Sequence, residues 1–197
     1  MDDMSHIILT STGIGSDYAK AEILKLVANP QDKRVFILTT AAKGKEANKY
    51  SILARQQFVE MGFVHVSFID LEIQSAASLM HCDILYVCGG NTFHLMYYVR
   101  KSGADIGIRA LLQNSDFIYI GVSAGSIILG KSIEIASAVD PDPNEIGLSD
   151  YRGMDIINAD VSPHYEPGHE VEIKRYESGK GYPVIRLLDG EIKKVGQ

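Results

Sequence analysis

The chain has 197 residues, of which 46% are apolar, and it carries a formal net charge of -6 at pH 7. This length and apolar content predict one globular domain, residues 1–197, with enough chain to bury a sizeable core. The 19 basic residues are scattered among 25 acidic ones. A nucleic-acid or anionic-membrane partner is therefore not expected, because both need clustered Lys and Arg.

The chain start and the cysteines predict the compartment. The first residues lack the basic and apolar regions of a signal peptide, and no apolar run approaches the roughly 20 residues that span a bilayer. Cys82 and Cys88 flank a predicted strand that would hold them apart, so no disulfide is expected. These features predict a cytoplasmic protein.

Apolar runs and helical stripes alternate along the first two thirds of the chain. The predicted strands span residues 6–10, 34–40, 64–69, 84–88 and 117–122, and the predicted helices span residues 17–28, 45–61, 71–80, 93–101 and 106–113. The unbroken apolar run at 34–40 is typical of a strand buried on both faces of a parallel sheet. Strands that alternate with helices predict right-handed βαβ units and an α/β fold.

The pattern changes after Gly130. Residues 132–138 and 156–161 predict strands, separated by an acidic, proline-rich turn at 140–144. The segments 184–188 and 191–195, on either side of Asp189-Gly190, predict a terminal β-hairpin.

The strand at 117–122 runs into the segment Gly121-Val-Ser-Ala-Gly125 and then into a stretch that can begin a helix. Strand, Gly-x-Ser-x-Gly and helix form the pattern of a nucleophile elbow, in which glycines permit a sharp turn that exposes the hydroxyl of Ser123. A serine becomes a good nucleophile only beside a base. Since a Gly-rich turn also serves as a plain connection or a phosphate site, the motif alone leaves catalysis open.

The loop after the strand at 84–88 offers unobstructed backbone amides at Gly89 and Gly90, at the start of a predicted helix. Helix N-termini favour negative charge, and ligands of α/β sheets bind beyond the carboxyl ends of the strands. The amides of Gly90 and Ala124 can therefore form an oxyanion hole. The alternative is a simple turn capped by Asn91 or Thr92.

Six histidines are available as the base. His164 directly follows a predicted strand, in the segment Ser162-Pro-His-Tyr165, where the proline restricts the backbone and the ring can face Ser123. We prefer His164 over His94, which lies on a predicted helix near the same loops.

Two other kinds of site are not expected. Gly13 and Gly15 begin a dinucleotide-binding pattern, but its third glycine is replaced by Tyr18. No cluster of His, Cys and Asp has metal-ligand spacing.

Taken together, the segments Cys88-Gly-Gly-Asn-Thr-Phe93, Gly121-Val-Ser-Ala-Gly125 and Ser162-Pro-His-Tyr165 resemble peptidase family S51 in order and spacing. That family includes dipeptidase E, an aspartyl dipeptidase, and cyanophycinase. The resemblance implies a three-layer α/β sandwich with a mostly parallel sheet, similar to class I glutamine amidotransferases and to flavodoxin.

The resemblance also implies an activity and its residues. Ser123 would be the nucleophile, His164 the general base, and the amides of Gly90 and Ala124 the oxyanion hole, with no metal or organic cofactor. The substrates would be small peptides, including dipeptides with an N-terminal aspartate. The chain would be a monomer or a homodimer. A non-catalytic binding module of the same fold and an esterase are the alternatives.

The third catalytic residue and the substrate contacts are less defined. Dipeptidase E has an acidic residue at a position where this chain has Ala138, so a shifted alignment brings Asp140 into that role. A Ser–His dyad is the other alternative. Rival carboxylates are Glu134, Asp142, Asp160 and Glu166. Candidate substrate contacts are Asn91, Thr92 and Arg175. Dipeptidase E holds an N-terminal aspartate with an arginine that follows its histidine; Lys174 and Arg175 lie near that region, and neither falls on a clear motif match.

Overall fold

A computed structural model describes residues 6–139 and 141–196. The strands in these ranges are β1 (His6–Thr10), β2 (Arg34–Leu38), β3 (His65–Ile69), β4 (Ile84–Val87), β5 (Ile118–Val122), β6 (Asp160–Ser162), β7 (Val184–Arg186) and β8 (Ile192–Val195). The α-helices are α1 (Asp17–Leu24), α2 (Lys49–Glu60), α3 (Thr92–Ser102), α4 (Ala104–Leu111), α5 (Ala124–Ile127), α6 (Ile135–Ala138) and α7 (Glu170–Lys180).

Six strands form the central sheet, in the order β3-β2-β4-β5-β1-β8. The first five of these strands pair in parallel, and β8 runs antiparallel to β1 at one edge. The predicted mostly parallel α/β sheet is confirmed. Because β4, β5 and β1 are neighbours, the loops at their carboxyl ends lie side by side.

Helices cover both faces of this sheet. Along β4, Leu85 packs into an apolar cluster that includes α3 and α4, and Ile84 packs into a second cluster that includes α1 and α2. This alternation follows from the two-residue period of a strand, and each fully buried aliphatic side chain stabilises the fold by about 2 kcal/mol. The three-layer arrangement expected from the sequence is confirmed.

The predicted terminal hairpin is wrong. β7 pairs with β6 in a separate two-stranded parallel sheet, whereas β8 pairs with β1. The backbone groups along the outer edge of β1 need partners, and β8 supplies them. The turn at Asp189 and Gly190 therefore crosses from the small sheet to the edge of the large one.

The prediction for residues 132–138 is also wrong. That segment makes one isolated bridge, between Ser132 and Arg152, and then forms the short helix α6. The predicted helix at 71–80 is a 3-10 turn, Ala76–His81. The predicted helix at 45–61 begins later, at Lys49, because the Asn48 side chain accepts a hydrogen bond from the amide of Tyr50 and caps the helix there.

Cys82 and Cys88 are both buried and free, as expected. None of the helices in the described ranges is long and apolar enough to cross a membrane.

Candidate active site

Ser123 lies in the tight turn between β5 and α5, with φ +47° and ψ −109°. Few non-glycine residues adopt such a backbone. A Cβ atom on Gly121 would lie 2.5 Å from the carbonyl oxygen of Gly125, and one on Gly125 would overlap the carbonyl oxygen of Val87. Glycine is therefore required at both flanking positions. The strand–turn–helix geometry predicted from the Gly-x-Ser-x-Gly motif is confirmed.

Hydrogen bonds of Ser126 connect the turn at Ser123 to the end of β1. The buried hydroxyl of Ser126 accepts a hydrogen bond from the amide of Thr10 at 3.1 Å and lies 2.8 Å from the carbonyl oxygen of Gly121, to which it can donate. The amide of Ser123 also donates to the carbonyl of Thr10, at 3.0 Å. These bonds hold the residues that follow β1 beside Ser123.

His164 follows β6, and its Nε2 atom lies 3.2 Å from the Oγ atom of Ser123. Its backbone has φ +51°, in the left-handed region. The rival base, His94, instead has its Nε2 atom 2.6 Å from a carboxylate oxygen of Glu72. Of these two histidines, the structure brings His164 to Ser123.

The carboxylate beside the other ring nitrogen of His164 belongs to Asp189, which the sequence prediction missed. Its Oδ1 atom lies 2.8 Å from His164 Nδ1 and accepts a hydrogen bond from the Ser11 hydroxyl at 2.6 Å. The bond from Ser11, helped by that from His164, holds the pKa of Asp189 below its usual range. The sequence does contain Asp189, in the Asp-Gly turn, but the hairpin prediction assigned that turn only the role of connecting two strands.

The predicted third member, Asp140, lies outside the described residues. Three of the four rival carboxylates have another partner. Glu134 pairs with Lys180, Asp142 accepts from the amide of Thr92 at 2.8 Å, and Asp160 accepts from the hydroxyls of Tyr176 and Tyr182. The fourth, Glu166, begins the turn at Pro167–His169. Among the described carboxylates, Asp189 is the one in contact with His164.

The loop after β4 packs closely against the elbow. A Cβ atom on Gly89 would lie 3.2 Å from the Cβ of Ser123, and one on Gly90, where φ is +138°, would overlap the carbonyl oxygen of Ala41. Glycine at position 90 therefore lets two backbone segments touch. Within residues 6–139 and 141–196, the amides of Gly90 and Ala124 donate to no protein acceptor. A donor on the residue after Ser123 and another on the loop that packs against Ser123 can bind a developing negative charge.

Asn91 and Thr92 hold the neighbouring loop in place. The Asn91 side chain caps α3 by accepting from the amide of His94 at 2.8 Å, and it donates to the carbonyl of Pro143 at 2.7 Å. Thr92 is fully buried, and its amide donates to Asp142. The cap predicted at Asn91 is therefore present, and it does not involve the amides of Gly90 and Ala124.

Arg175 does not lie at the cleft beside Ser123, in contrast to the expected substrate contact. It is exposed on α7 and lines a different depression, with Glu134 and Tyr176. Ile173 is fully buried under the same helix. Since residues two apart point to nearly opposite sides of a helix, Arg175 faces outward.

The cleft itself is bordered by apolar side chains and one carboxylate. Its lining comprises Ser123, Ile127, Ile135, Ala136, Val139, Asp142, Val161, Ser162 and Pro163. Lys and Arg are absent from this described lining. The cleft therefore offers apolar surface and a negative charge to whatever binds next to Ser123.

Residues 7–192 match the model of peptidase family S51. The chain belongs to peptidase family S51. An uncharacterized peptidase of Pasteurella multocida, PM1590, is 30% identical over 146 residues, which cover 72% of this chain and 70% of that protein. Peptidase E of a Nostoc species is 28% identical over 175 residues, 85% of this chain and 69% of its own length.

The fold of this S51 chain is also found in a crystal structure. A Listeria monocytogenes protein of the peptidase E type has a TM-score of 0.79 at 24% sequence identity, and the match covers 98% of this chain and 95% of that one. At that identity the likeness concerns the fold. Family membership and the named relatives together support a peptidase, which is a hydrolase.

Proposed function

We propose that this chain is a serine peptidase that hydrolyses small peptides through an acyl-enzyme on Ser123, with His164 as the general base. The observation that carries the proposal is the continuous path of contacts from Ser123 through His164 to Asp189, at 3.2 and 2.8 Å. These are hydrogen-bond distances, and a nucleophile, a base and an orienting carboxylate in this order form the arrangement that activates a serine.

In the proposed reaction, His164 Nε2 takes the proton from Ser123 Oγ while that oxygen attacks the scissile carbonyl. The amides of Gly90 and Ala124 donate to the resulting oxyanion. His164 then gives its proton to the leaving amine, which leaves an ester on Ser123. Water attacks this ester, with His164 again as base, and releases the acid and the free serine. Asp189 stabilises the imidazolium that forms in both halves.

The residues that line the cleft favour some substrate side chains over others. An N-terminal aspartate would bring a carboxylate into a cleft that already holds Asp142 and has no cation in its described lining. Like charges repel, whereas the apolar lining favours a small uncharged side chain and Asp142 favours a free α-ammonium group. We therefore propose that small peptides with an uncharged N-terminal residue are better substrates than those that begin with aspartate.

The test compares wild type with Ser123→Ala on a panel of p-nitroanilides that carry Ala, Asp or Lys. Loss of the nucleophile should lower kcat/KM by at least about 10³-fold, because acyl transfer has no other acceptor. Circular dichroism and the melting temperature check that the variant folds. Wild-type rates in a folded Ser123→Ala protein would overturn the proposed mechanism, and faster cleavage of the Asp substrate would overturn the proposed preference.

Labelling with a fluorophosphonate separates this proposal from its alternatives. A peptidase should be labelled at Ser123, whereas a binding module of the same fold would fold normally and stay unlabelled. An esterase would be labelled but would cleave p-nitrophenyl esters and leave the anilides intact.

A further inference from the structure

The hydroxyl of Ser11 contacts both His164 and Asp189. Ser11 directly follows β1 and is 1% exposed. Its Oγ atom accepts a hydrogen bond from the backbone amide of His164 at 2.8 Å and donates to Asp189 Oδ1 at 2.6 Å. The same oxygen lies 3.1 Å from His164 Nδ1. Ser11 is also absent from the lining of the substrate cleft.

We propose that Ser11 is a positioning residue, which locks His164 and Asp189 into one orientation toward Ser123. The proposal rests on the proposed function, because it concerns the same site. Ser11 contacts no reacting atom, so its effect on the reaction passes through the two residues that it holds.

The hydrogen-bond directions assign a tautomer to His164. An ionised carboxylate only accepts, so the Ser11 hydroxyl and His164 Nδ1–H both point at Oδ1 of Asp189. With its proton on Nδ1, the ring presents the lone pair of Nε2 to Ser123. That is the form a general base requires. By fixing the Asp189 carboxylate, Ser11 helps to select the tautomer of His164 that carries its proton on Nδ1.

The backbone of His164 explains why this anchor is needed. Its left-handed conformation, φ +51°, is unfavourable for a non-glycine residue. The bond from its amide to Ser11 Oγ offsets part of that cost. Without the bond, the backbone can relax and turn the ring away from Ser123.

The exposure of Asp189 provides a second reason. Its side chain is 62% exposed, so water competes for its oxygens and leaves the carboxylate poorly oriented. Ser11 is its buried partner. The next residue, Thr12, accepts a hydrogen bond from the amide of Gly190 at 2.9 Å, so the end of β1 holds the turn at two consecutive points.

The test measures kcat and KM of Ser11→Ala in the full chain, with the best p-nitroanilide of the panel. We expect kcat to fall about tenfold to a hundredfold with KM unchanged, because a hydrogen bond to a charged group is lost and the cleft is untouched. Ser11→Cys fills nearly the same space with a weak donor and acceptor, so it should show a comparable loss even if the cavity in Ser11→Ala perturbs folding.

A double-mutant cycle with Asp189→Ala tests whether Ser11 acts through its partners. The loss of kcat in the double variant should be clearly smaller than the product of the two single losses, because each change disrupts the same unit. Ser132→Ala is the matched control. Ser132 is also a buried serine, which accepts from the amide of Glu134 and donates to the carbonyl of Tyr151, but it has no contact with His164. Its replacement should lower the melting temperature without changing kcat.

The outcomes separate the two proposals. Wild-type kcat in Ser11→Ala and Ser11→Cys, equal losses in Ser11→Ala and Ser132→Ala, or independent losses in the double variant would each overturn the role of Ser11. These outcomes would leave the proposed peptidase standing if Ser123→Ala is inactive. Full activity of Ser123→Ala would instead overturn the peptidase mechanism.

Discussion

Two carboxylates near the small sheet, Asp160 at the start of β6 and Asp189 after β7, show how surroundings decide the role of a residue. Asp160 is fully buried and accepts hydrogen bonds from the amide of Ser132 and from two tyrosine hydroxyls. Both of its carboxylate oxygens therefore have hydrogen-bond partners within the fold. Asp189 is largely exposed, and its partners are Ser11 and His164. The first carboxylate stabilises the fold, and the second contacts His164, the proposed base.

This contrast predicts opposite effects for the same substitution. Asp189→Asn should lower kcat about a hundredfold or more, since an amide can donate to His164 Nδ1 and favour the wrong tautomer, with little change in melting temperature. Asp160→Asn should leave kcat of the folded protein nearly unchanged and destabilise it by about 1–3 kcal/mol, because a buried acceptor is replaced by a donor. Urea unfolding and steady-state kinetics on both variants check the pair; the reverse result would contradict the assignment.

At the scale of elements, strand β8 connects the site to the main sheet. It pairs with β1 directly after the turn that carries Asp189. Glu22, buried on α1, holds this edge strand through an ion pair with Lys194 at 2.6 Å and also pairs with Lys25, the residue that follows α1. The fixed position of β8 limits where Asp189 can lie.

The Glu22 contacts predict a pH dependence of stability. Hydrogen bonds from Lys194 and then Lys25 lower the pKa of Glu22 from its usual 4.5 to about 2. A carboxyl with a lowered folded-state pKa stabilises the fold above its unfolded pKa. The contribution is therefore complete above pH 4.5 and is lost as the pH falls toward 2.

Urea titrations of Glu22→Gln against wild type measure this effect. The variant should unfold at lower urea at pH 7, and the two midpoints should converge as the pH approaches 2. Glu60→Gln is the control: Glu60 also pairs with a lysine, but its side chain is 64% exposed, so its loss should change the midpoint little. A constant gap between Glu22→Gln and wild type over this range would contradict the prediction.

At the scale of the whole molecule, the site lies where two sheets meet. Ser123 follows β5 of the six-stranded sheet, whereas His164 follows β6 of the small sheet. The small sheet is held to α7 by Arg186, which binds Glu170 with two nitrogens and also pairs with Glu177. Alignment of Ser123 with His164 therefore depends on how firmly the small sheet is packed.

Hydrogen exchange of Arg186→Gln tests this dependence. Amides in residues 160–188 should exchange about tenfold faster than in wild type, while those of β5 keep their rates, because short two-stranded sheets open locally at low cost. We also expect kcat to fall. Arg152→Gln is the matched control, since Arg152 is 84% exposed and pairs with Asp150 outside the small sheet. Uniform acceleration across both sheets would mean that the small sheet does not open as a unit.

The sequence alone predicted the five parallel strands and the turn at Ser123. These predictions rest on local patterns: apolar runs of strand length, glycines on both sides of one serine, and helical stripes between the strands. Each pattern predicts its structure from neighbouring residues alone. The contact of His164 with Ser123 agrees with the prediction made from the three motifs together.

Only the tertiary structure decided which carboxylate contacts His164, which residues line the cleft beside Ser123 and which hydroxyl contacts both His164 and Asp189. Asp189 contacts His164 because β8 leaves β7 to pair with β1, and the choice between a hairpin and an edge strand depends on which backbone edge is free. Ser11 reaches the same carboxylate across 178 positions of sequence. Long-range pairing of this kind leaves no periodicity in the chain, so it becomes visible only when the sheet is assembled.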